Sequence, residues 1–398
     1  MGVRRIFFLL SCFCFLLTGL RAQETCSLRI TLLTCSPGTE LYSIFGHTAL
    51  RVQNTVSGTD DVYNYGTFEF GDDFYIKFIR GRLPYYLDVE PMPYFLYGYR
   101  LEGRSVVEQE VLLDCAQKTA LLQALQTNLL PANRQYRYDF LFDNCTTRAA
   151  EMIYRQAGAQ VSTAGVIPAD RTKAPTFRNL IHEYLDRGRQ PWSKLGIDLL
   201  LGARLDRRVH NREAQFLPEK LLQGIGGATA GGRPLVSAPQ NVLQLPPLDP
   251  GYSPSPLLVF GLLLALVGVL SFVPARGVRR ALTVFDFLLF ALAGIVGVVL
   301  LFMWFGTDHS VCRNNWNLLW ALPTHLLAAP FLRRERRWIH WYLLATMVIN
   351  SALLLGWIFL PQELNIGFLP IVLLLLLRAW LIVLKPHHNP EANAPAGH

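Results

Sequence analysis

The chain has 398 residues, enough for two or three domains, and 51% of them are hydrophobic. Its formal net charge is +8, yet residues 23–255 carry 24 Lys and Arg against 24 Asp and Glu. Since the basic excess lies at the two ends of the chain, it fits membrane topology, and we expect no nucleic-acid partner.

The first residues resemble an export signal. Arg4 and Arg5 precede an apolar run over 6–17, and small residues stand before position 23. This pattern predicts a signal peptide over 1–22, cleaved after Ala22. An uncleaved anchor helix is the alternative, but the apolar run is shorter than the roughly 20 residues that span a bilayer.

Alternating patterns predict strands at 27–34, from 47 through 52, at 61–66 and at 104–113, with a helix over 115–130 capped by Asp114. These elements predict an α+β domain with a small antiparallel sheet. Cysteines 26, 35 and 115 have disulfide partners available outside the cell membrane, but the sequence does not choose the pairing.

A histidine and a cysteine in separate motifs predict a nucleophilic site. His47 begins a strand, and Gly46 before it permits close approach of the backbone. Asn64 on the neighbouring strand is the candidate for orienting the imidazole, and an exposed turn asparagine is the alternative. His47 would act as the base that removes a thiol proton.

Cys145 is the candidate nucleophile. Asp143 and Asn144 are strong N-cap residues before a helix predicted over 146–156, which Gly158 ends. A thiol in the first turn has a lowered pKa because of the helix dipole. Inert packing of the thiol is one alternative, and glycosylation of the Asn144-Cys145-Thr146 sequon is another.

Four further stretches before the membrane part have distinct compositions. Residues 72–101 are rich in aromatic side chains, and the patterns at 176–188 and 192–222 predict amphipathic helices. The second helix has two interpretations, a membrane-surface helix or a domain helix with a solvated face. Residues 223–256 are rich in Gly and Pro and predict a linker.

Five apolar segments predict transmembrane helices, at 257–273, 281–305, 316–332, 341–360 and 366–384. The loops at 276–280 and 333–337 are rich in arginine, and Lys385 follows the last span. In the alternate loops, Arg313 is the only Lys or Arg residue. By the positive-inside rule, residues 23–255 lie outside the membrane and the tail, 385–398, lies in the cytoplasm.

Polar and aromatic residues at the outer face of this membrane part predict a substrate-binding role, because ionisable groups at membrane depth are usually functional. An aromatic belt with polar loop residues is the alternative, which explains the tryptophans best. The candidates are Asp308, His309, Asn315, Asn317, Trp320 and His325.

Long motifs resemble the Lnb-type periplasmic domain of Gram-negative bacteria and the membrane part of the same family. They are the segments at 35–38, 45–51, 63–68 and 142–148, together with Asp308-His309 and the run 315–320. The likeness spans about residues 28–384. The resemblance implies a circularly permuted papain-like domain of the NlpC/P60 type over 23–175. The candidate catalytic residues in it, Cys145, His47 and Asn64, are those that the residue patterns give.

The family has been linked to lipoprotein N-acylation. The resemblance therefore implies transfer of a fatty acyl chain from a phospholipid donor to the α-amine of a diacylglyceryl-cysteine lipoprotein, through a thioester on Cys145. It also implies a multi-pass protein of the bacterial inner membrane. We expect no cofactor and no metal, because the histidines lack ligand spacing.

Two other classes of function remain open from the sequence. A membrane-tethered cysteine peptidase or amidase would use the same two residues with water as acceptor, in an open polar cleft and without needing residues 257–384. A receptor or assembly factor would hold Cys145 buried or disulfide-bonded, so the thiol would not label.

Overall fold

The computed structural model describes residues 26–384 except positions 70, 72, 159 and 335. The predicted signal peptide, Lys385 and the predicted cytoplasmic tail lie outside the described residues. Strands, in chain order, are β1 Leu28–Cys35, β2 His47–Asn54, β3 Thr59–Thr67, β4 Pro84–Pro91, β5 Val106–Glu110, β6 Gln135–Arg137, β7 Val161–Ser162, β8 Thr229–Ala230, β9 Arg233–Pro234 and β10 Gln240–Leu243.

The α-helices divide between an N-terminal sheet-rich part and a C-terminal helical part. They are α1 Phe74–Ile79, α2 Met92–Leu101, α3 Cys115–Leu129, α4 Cys145–Ala157, α5 Phe177–Arg187, α6 Pro191–Leu200, α7 Asn211–Ala214, α8 Pro218–Gly226, α9 Pro256–Ser271, α10 Arg276–Phe305, α11 Thr324–Ala328, α12 Arg337–Gly356 and α13 Leu369–Val383.

An antiparallel sheet of seven strands, in the order β10-β5-β1-β2-β3-β4-β6, forms one layer of the N-terminal part. Side chains alternate along these strands, so one face can pack on helices α3 and α4. Leu32 and Leu50 meet Leu121 and Ile153 in that core, all fully buried. The predicted mixture of sheet and helix is confirmed, while the papain-like permutation stays a prediction.

A disulfide joins Cys26, just before β1, to Cys115 at the start of α3. Cys35 ends β1 and lies opposite His47 in the register. Burial raises the pKa of its thiol to about 12, against the smaller effect of a hydrogen bond with Tyr99. The disulfide pairing, which the sequence left open, is Cys26 with Cys115. Of the three candidate cysteines, Cys35 therefore stays a free thiol, and its raised pKa keeps it protonated near neutral pH.

Two sequence predictions differ from the structure. The stretch 192–222 is not one helix, because the chain leaves helical geometry at Leu201 and Pro218 begins α8. The stretch 223–256 is not simply a linker, since it supplies β10, which pairs with β5 at the sheet edge. Gly and Pro there mark turns between short strands.

Among the described residues, three helices are long and apolar enough to cross a membrane, spanning Arg276–Phe305, Arg337–Phe359 and Ile366–Val383. The helix α9 is apolar but has only 16 residues. The predicted span at 316–332 is broken into short helices, and Pro323 and Pro330 lie at the breaks. The predicted count of five is therefore not confirmed.

A buried polar network, which we call the domain joint, connects helices α5 and α6 to two loops of the membrane part. Asp198 lies at its centre, with 1% of its surface exposed. Its carboxylate accepts from Arg178 at 2.6 Å, from His182 at 2.8 Å and from Asn365 at 2.8 Å. This joint fixes the sheet-rich part against one end of the membrane helices.

Candidate active site

Cys145 begins helix α4, and a capping box fixes its position. The Asn144 side-chain oxygen accepts from the backbone N–H of Thr147 at 2.9 Å. In return, the Thr147 hydroxyl accepts from the backbone N–H of Asn144 at 2.8 Å. The side-chain NH2 group of Asn144 donates to the backbone carbonyls of Phe140 and Phe216. Since Asn144 is 3% exposed and engaged in the cap, the glycosylation alternative loses support.

His47 begins strand β2 on a backbone that requires glycine before it. Gly46 has a φ of +81°, and a Cβ at that position would lie 2.7 Å from the Cys35 carbonyl oxygen. The chain can therefore bring His47 close to β1 only with glycine at position 46. A hydrogen bond between the hydroxyls of Thr48 and Thr146, at 3.1 Å, connects β2 to the first turn of α4.

Asn64 on β3 holds the imidazole. Its Oδ1 lies 3.1 Å from Nε2 of His47, while its Nδ2 donates to Glu90 at 2.8 Å. Because the amide group of Asn64 is used by Glu90, Oδ1 accepts and Nε2 carries the proton. The other ring nitrogen, Nδ1, is then the one left for the thiol of Cys145.

The pKa values of the two groups move in opposite directions. Burial alone would raise the pKa of Cys145, but the charge and hydrogen bond of His47, with smaller help from the Thr48 amide, lower it to about 7. Burial alone would lower the pKa of His47, and the Cys145 thiolate and Asn64 raise it. The pair therefore favours thiolate and imidazolium near neutral pH.

The space beside Cβ of Cys145 is lined by Gly66 and two tyrosines. Gly66 has a φ of +91°, and a Cβ there would lie 3.5 Å from Cβ of Cys145 and 3.9 Å from the Tyr136 hydroxyl. That hydroxyl is buried and has no hydrogen-bond partner among the described residues. The ring of Tyr138 borders the same point, at 4.0 Å. A donor is thus available next to the nucleophile.

The loop that follows α10, residues 306–309, contacts the sheet-rich part, and we call it the Asp308 loop. Asp308 forms ion pairs with Arg82, at 2.9 Å, and with Arg137, which ends strand β6. His309 lies 2.9 Å, through Nε2, from the carbonyl oxygen of Phe78. These two predicted substrate-binding residues lie where the sheet-rich part meets the membrane part, and their role in binding stays a prediction.

The other predicted substrate-binding residues are engaged elsewhere. Asn315 and Asn317 donate to the backbone of α6 at 2.7 and 2.9 Å, and Trp320 donates to Asn317 at 3.0 Å. His325 is fully buried, and its Nδ1 bonds to Tyr342. The first three belong to the domain joint, so the structure gives them a structural role, while substrate binding by any of the four stays a prediction.

Three residues of the site were missed from the sequence. Glu90 bonds to Asn64, while Thr48 and Tyr136 lie near Cys145. Their sequence signals were weak, because each reaches the site through strand register or a long-range contact. Within the described ranges, no three His, Cys, Asp or Glu side chains lie together in a position to hold a metal ion.

We expect the rate at which iodoacetamide alkylates Cys145 to rise as the pH passes through about 7, because the thiolate is the reacting form. In a His47→Gln variant, burial still raises the pKa and the imidazolium no longer opposes it. The midpoint should then move to or above the value of a free thiol, about 8.5. Mass spectrometry of the Cys145 peptide gives both profiles, and coinciding midpoints would refute the ion pair.

Comparison with known families was made on the whole chain. The family model described as the Lnb N-terminal periplasmic domain matches residues 20–183. The one described as the Lnb transmembrane domain matches residues 250–389. No curated protein and no solved structure matches the chain.

Proposed function

We propose, from the premise that this chain belongs to the Lnb family, that it is a lipoprotein N-acyltransferase with Cys145 as nucleophile. The family indicates an inner-membrane protein with a periplasmic N-terminal domain, and an enzyme that modifies lipoproteins. The finer chemistry is our proposal. One observation carries it: an activated thiol lies in a domain that the Asp308 loop and the domain joint hold against the membrane helices.

In the first step the Cys145 thiolate attacks the ester carbonyl of a phospholipid acyl chain. A C–S bond forms, the ester C–O bond breaks, and the lysophospholipid alkoxide takes the proton of the His47 imidazolium. The backbone amide of Cys145, in the first turn of α4, and the unpartnered Tyr136 hydroxyl are the donors for the developing oxyanion. The product is an acyl thioester on the enzyme.

In the second step the α-amine of a diacylglyceryl-cysteine lipoprotein attacks the thioester. An amide bond forms, the C–S bond breaks, and His47 accepts the proton that the amine releases. Asn64 keeps the ring in the required orientation throughout, and Glu90 keeps Asn64 from turning. Both substrates are membrane lipids, which accounts for a thiol domain fastened to membrane helices.

A reconstituted reaction tests this function. The full-length protein would be placed in phosphatidylethanolamine vesicles with a synthetic diacylglyceryl-cysteine peptide. We expect the peptide to gain one fatty-acyl mass, with one lysophospholipid formed for each peptide acylated. Release of free fatty acid or a cleaved peptide without acyl gain would overturn the proposal in favour of a hydrolase.

A further inference from the structure

Helix α1 lies where the sheet-rich part meets the membrane. The C-terminal end of α1 contacts the residues that follow the spanning helix α10. The Asp308 amide donates to the Arg80 carbonyl at 3.0 Å, and the His309 ring bonds to the Phe78 carbonyl. Asp308 and His309 are only three and four residues beyond Phe305, the last residue of α10. The helix is therefore anchored at the level where that span leaves the bilayer.

The free side of α1 is apolar. Ile76, Phe78 and Ile79 are 61%, 50% and 47% exposed, on a helix of six residues. Exposed arginines at positions 80 and 82 follow directly, of which Arg82 also pairs with Asp308. Large apolar side chains flanked by arginines are the composition of helices that lie in a membrane interface, with the cations reaching the headgroups.

A continuous row of aromatic rings leads from this exposed side to the nucleophile. Consecutive ring centroids lie 5.9, 5.7, 5.3 and 4.4 Å apart. The last ring borders the space beside Cβ of Cys145, next to Gly66. We call this row the aromatic track; in order it comprises Phe78, Phe74, Phe68, Tyr85 and Tyr138.

We propose that α1 is embedded in the periplasmic leaflet, and that the aromatic track is the path by which the acyl chain of a membrane phospholipid reaches Cys145. The embedding of α1 rests on geometry alone, whereas the path of the acyl chain also rests on the proposed function. An acyl chain that left the bilayer without cover would expose its methylene groups to water. The track covers them with rings as far as the space beside Cβ of Cys145.

Depth of insertion can be measured without any activity. A spin label on Ile76→Cys, in the full-length Cys145→Ala protein in phosphatidylethanolamine and phosphatidylglycerol vesicles, should be reached by oxygen far better than by a water-soluble nickel complex. The matched control is Val56→Cys, 85% exposed in the turn between β2 and β3, at the other end of β2 from His47. Equal accessibility at the two positions would refute the embedding of α1.

The route can be measured by comparing two acyl donors. For Phe78→Asp we expect acylation of Cys145 by vesicle phospholipid to fall at least tenfold. Acylation by water-soluble p-nitrophenyl butyrate should change less than twofold. Val56→Asp, which adds the same charge at an exposed position outside the aromatic track, should behave like wild type with both donors.

The outcomes separate the two claims. Equal loss with both donors, or no loss with phospholipid, would overturn the proposed route. If the wild-type protein accepts butyrate but never a phospholipid chain, the proposed function fails, whereas the spin-label result still decides whether α1 lies in the leaflet.

Discussion

Replacing Cys145 with alanine is expected to leave cellular lipoproteins one fatty-acyl group short. The substitution removes the protein atom that bonds to the acyl group in the proposed mechanism, and loss of a nucleophile typically lowers turnover by on the order of 10⁴-fold or more. Intact-mass analysis of a lipoprotein N-terminal peptide measures the difference directly, in cells where this chain is the sole source of the activity.

The fold should survive this change. Asn144 and Thr147 make the cap of α4, and neither bond uses the sulfur. Cys312→Ala is the matched control, because Cys312 is also a free cysteine but lies in the loop after α10, where it is 2% exposed. A fully acylated peptide from cells with stably expressed Cys145→Ala would remove the thiol from the mechanism.

Replacing Asp198 with alanine is expected to cause the largest loss of stability. Arg178 is fully buried and bonds to Asp198 at 2.6 Å, so the variant leaves part of a buried cation uncompensated. Removal of one partner from a buried ion pair costs about 3–5 kcal/mol. Because the same carboxylate bonds to Asn365 of the membrane part, the two domains should also separate more readily.

Thermal unfolding of the full-length protein in detergent measures this effect. From the usual scaling we expect a fall in Tm on the order of 10 °C. The control Arg155→Ala breaks an exposed pair with Glu151 and should change stability by about 1 kcal/mol or less. A Tm for Asp198→Ala within a degree or two of that control would show that the domain joint contributes little.

The sequence predicted those parts of the site that depend on local structure. The cap residues of α4 are adjacent to Cys145, so the position of the thiol at a helix start could be inferred from neighbours. Asn64 could be paired with His47 because the two lie on consecutive strands joined by a short turn. Alternation and capping are properties of short segments, and such segments were predicted well.

What depends on distant contacts could not be predicted in the same way. Glu90 reaches Asn64 only through the pairing of β3 with β4, which contains an irregularity in register. Asn317 was predicted to bind substrate because it is polar near the membrane, yet it donates to the backbone at Asp198. The sequence signal for the domain joint was a single carboxylate, Asp198, within an otherwise apolar helical stretch.

The most direct test of the central claim is to look for the acyl-enzyme. The full-length protein would be incubated with phospholipid vesicles without acceptor, quenched in acid, and digested. We predict one fatty-acyl mass on the Cys145 peptide, removed by hydroxylamine and transferred to a diacylglyceryl-cysteine peptide when that acceptor is added. Transfer to the acceptor in a single turnover while Cys145 stays unmodified at every time point would contradict the account.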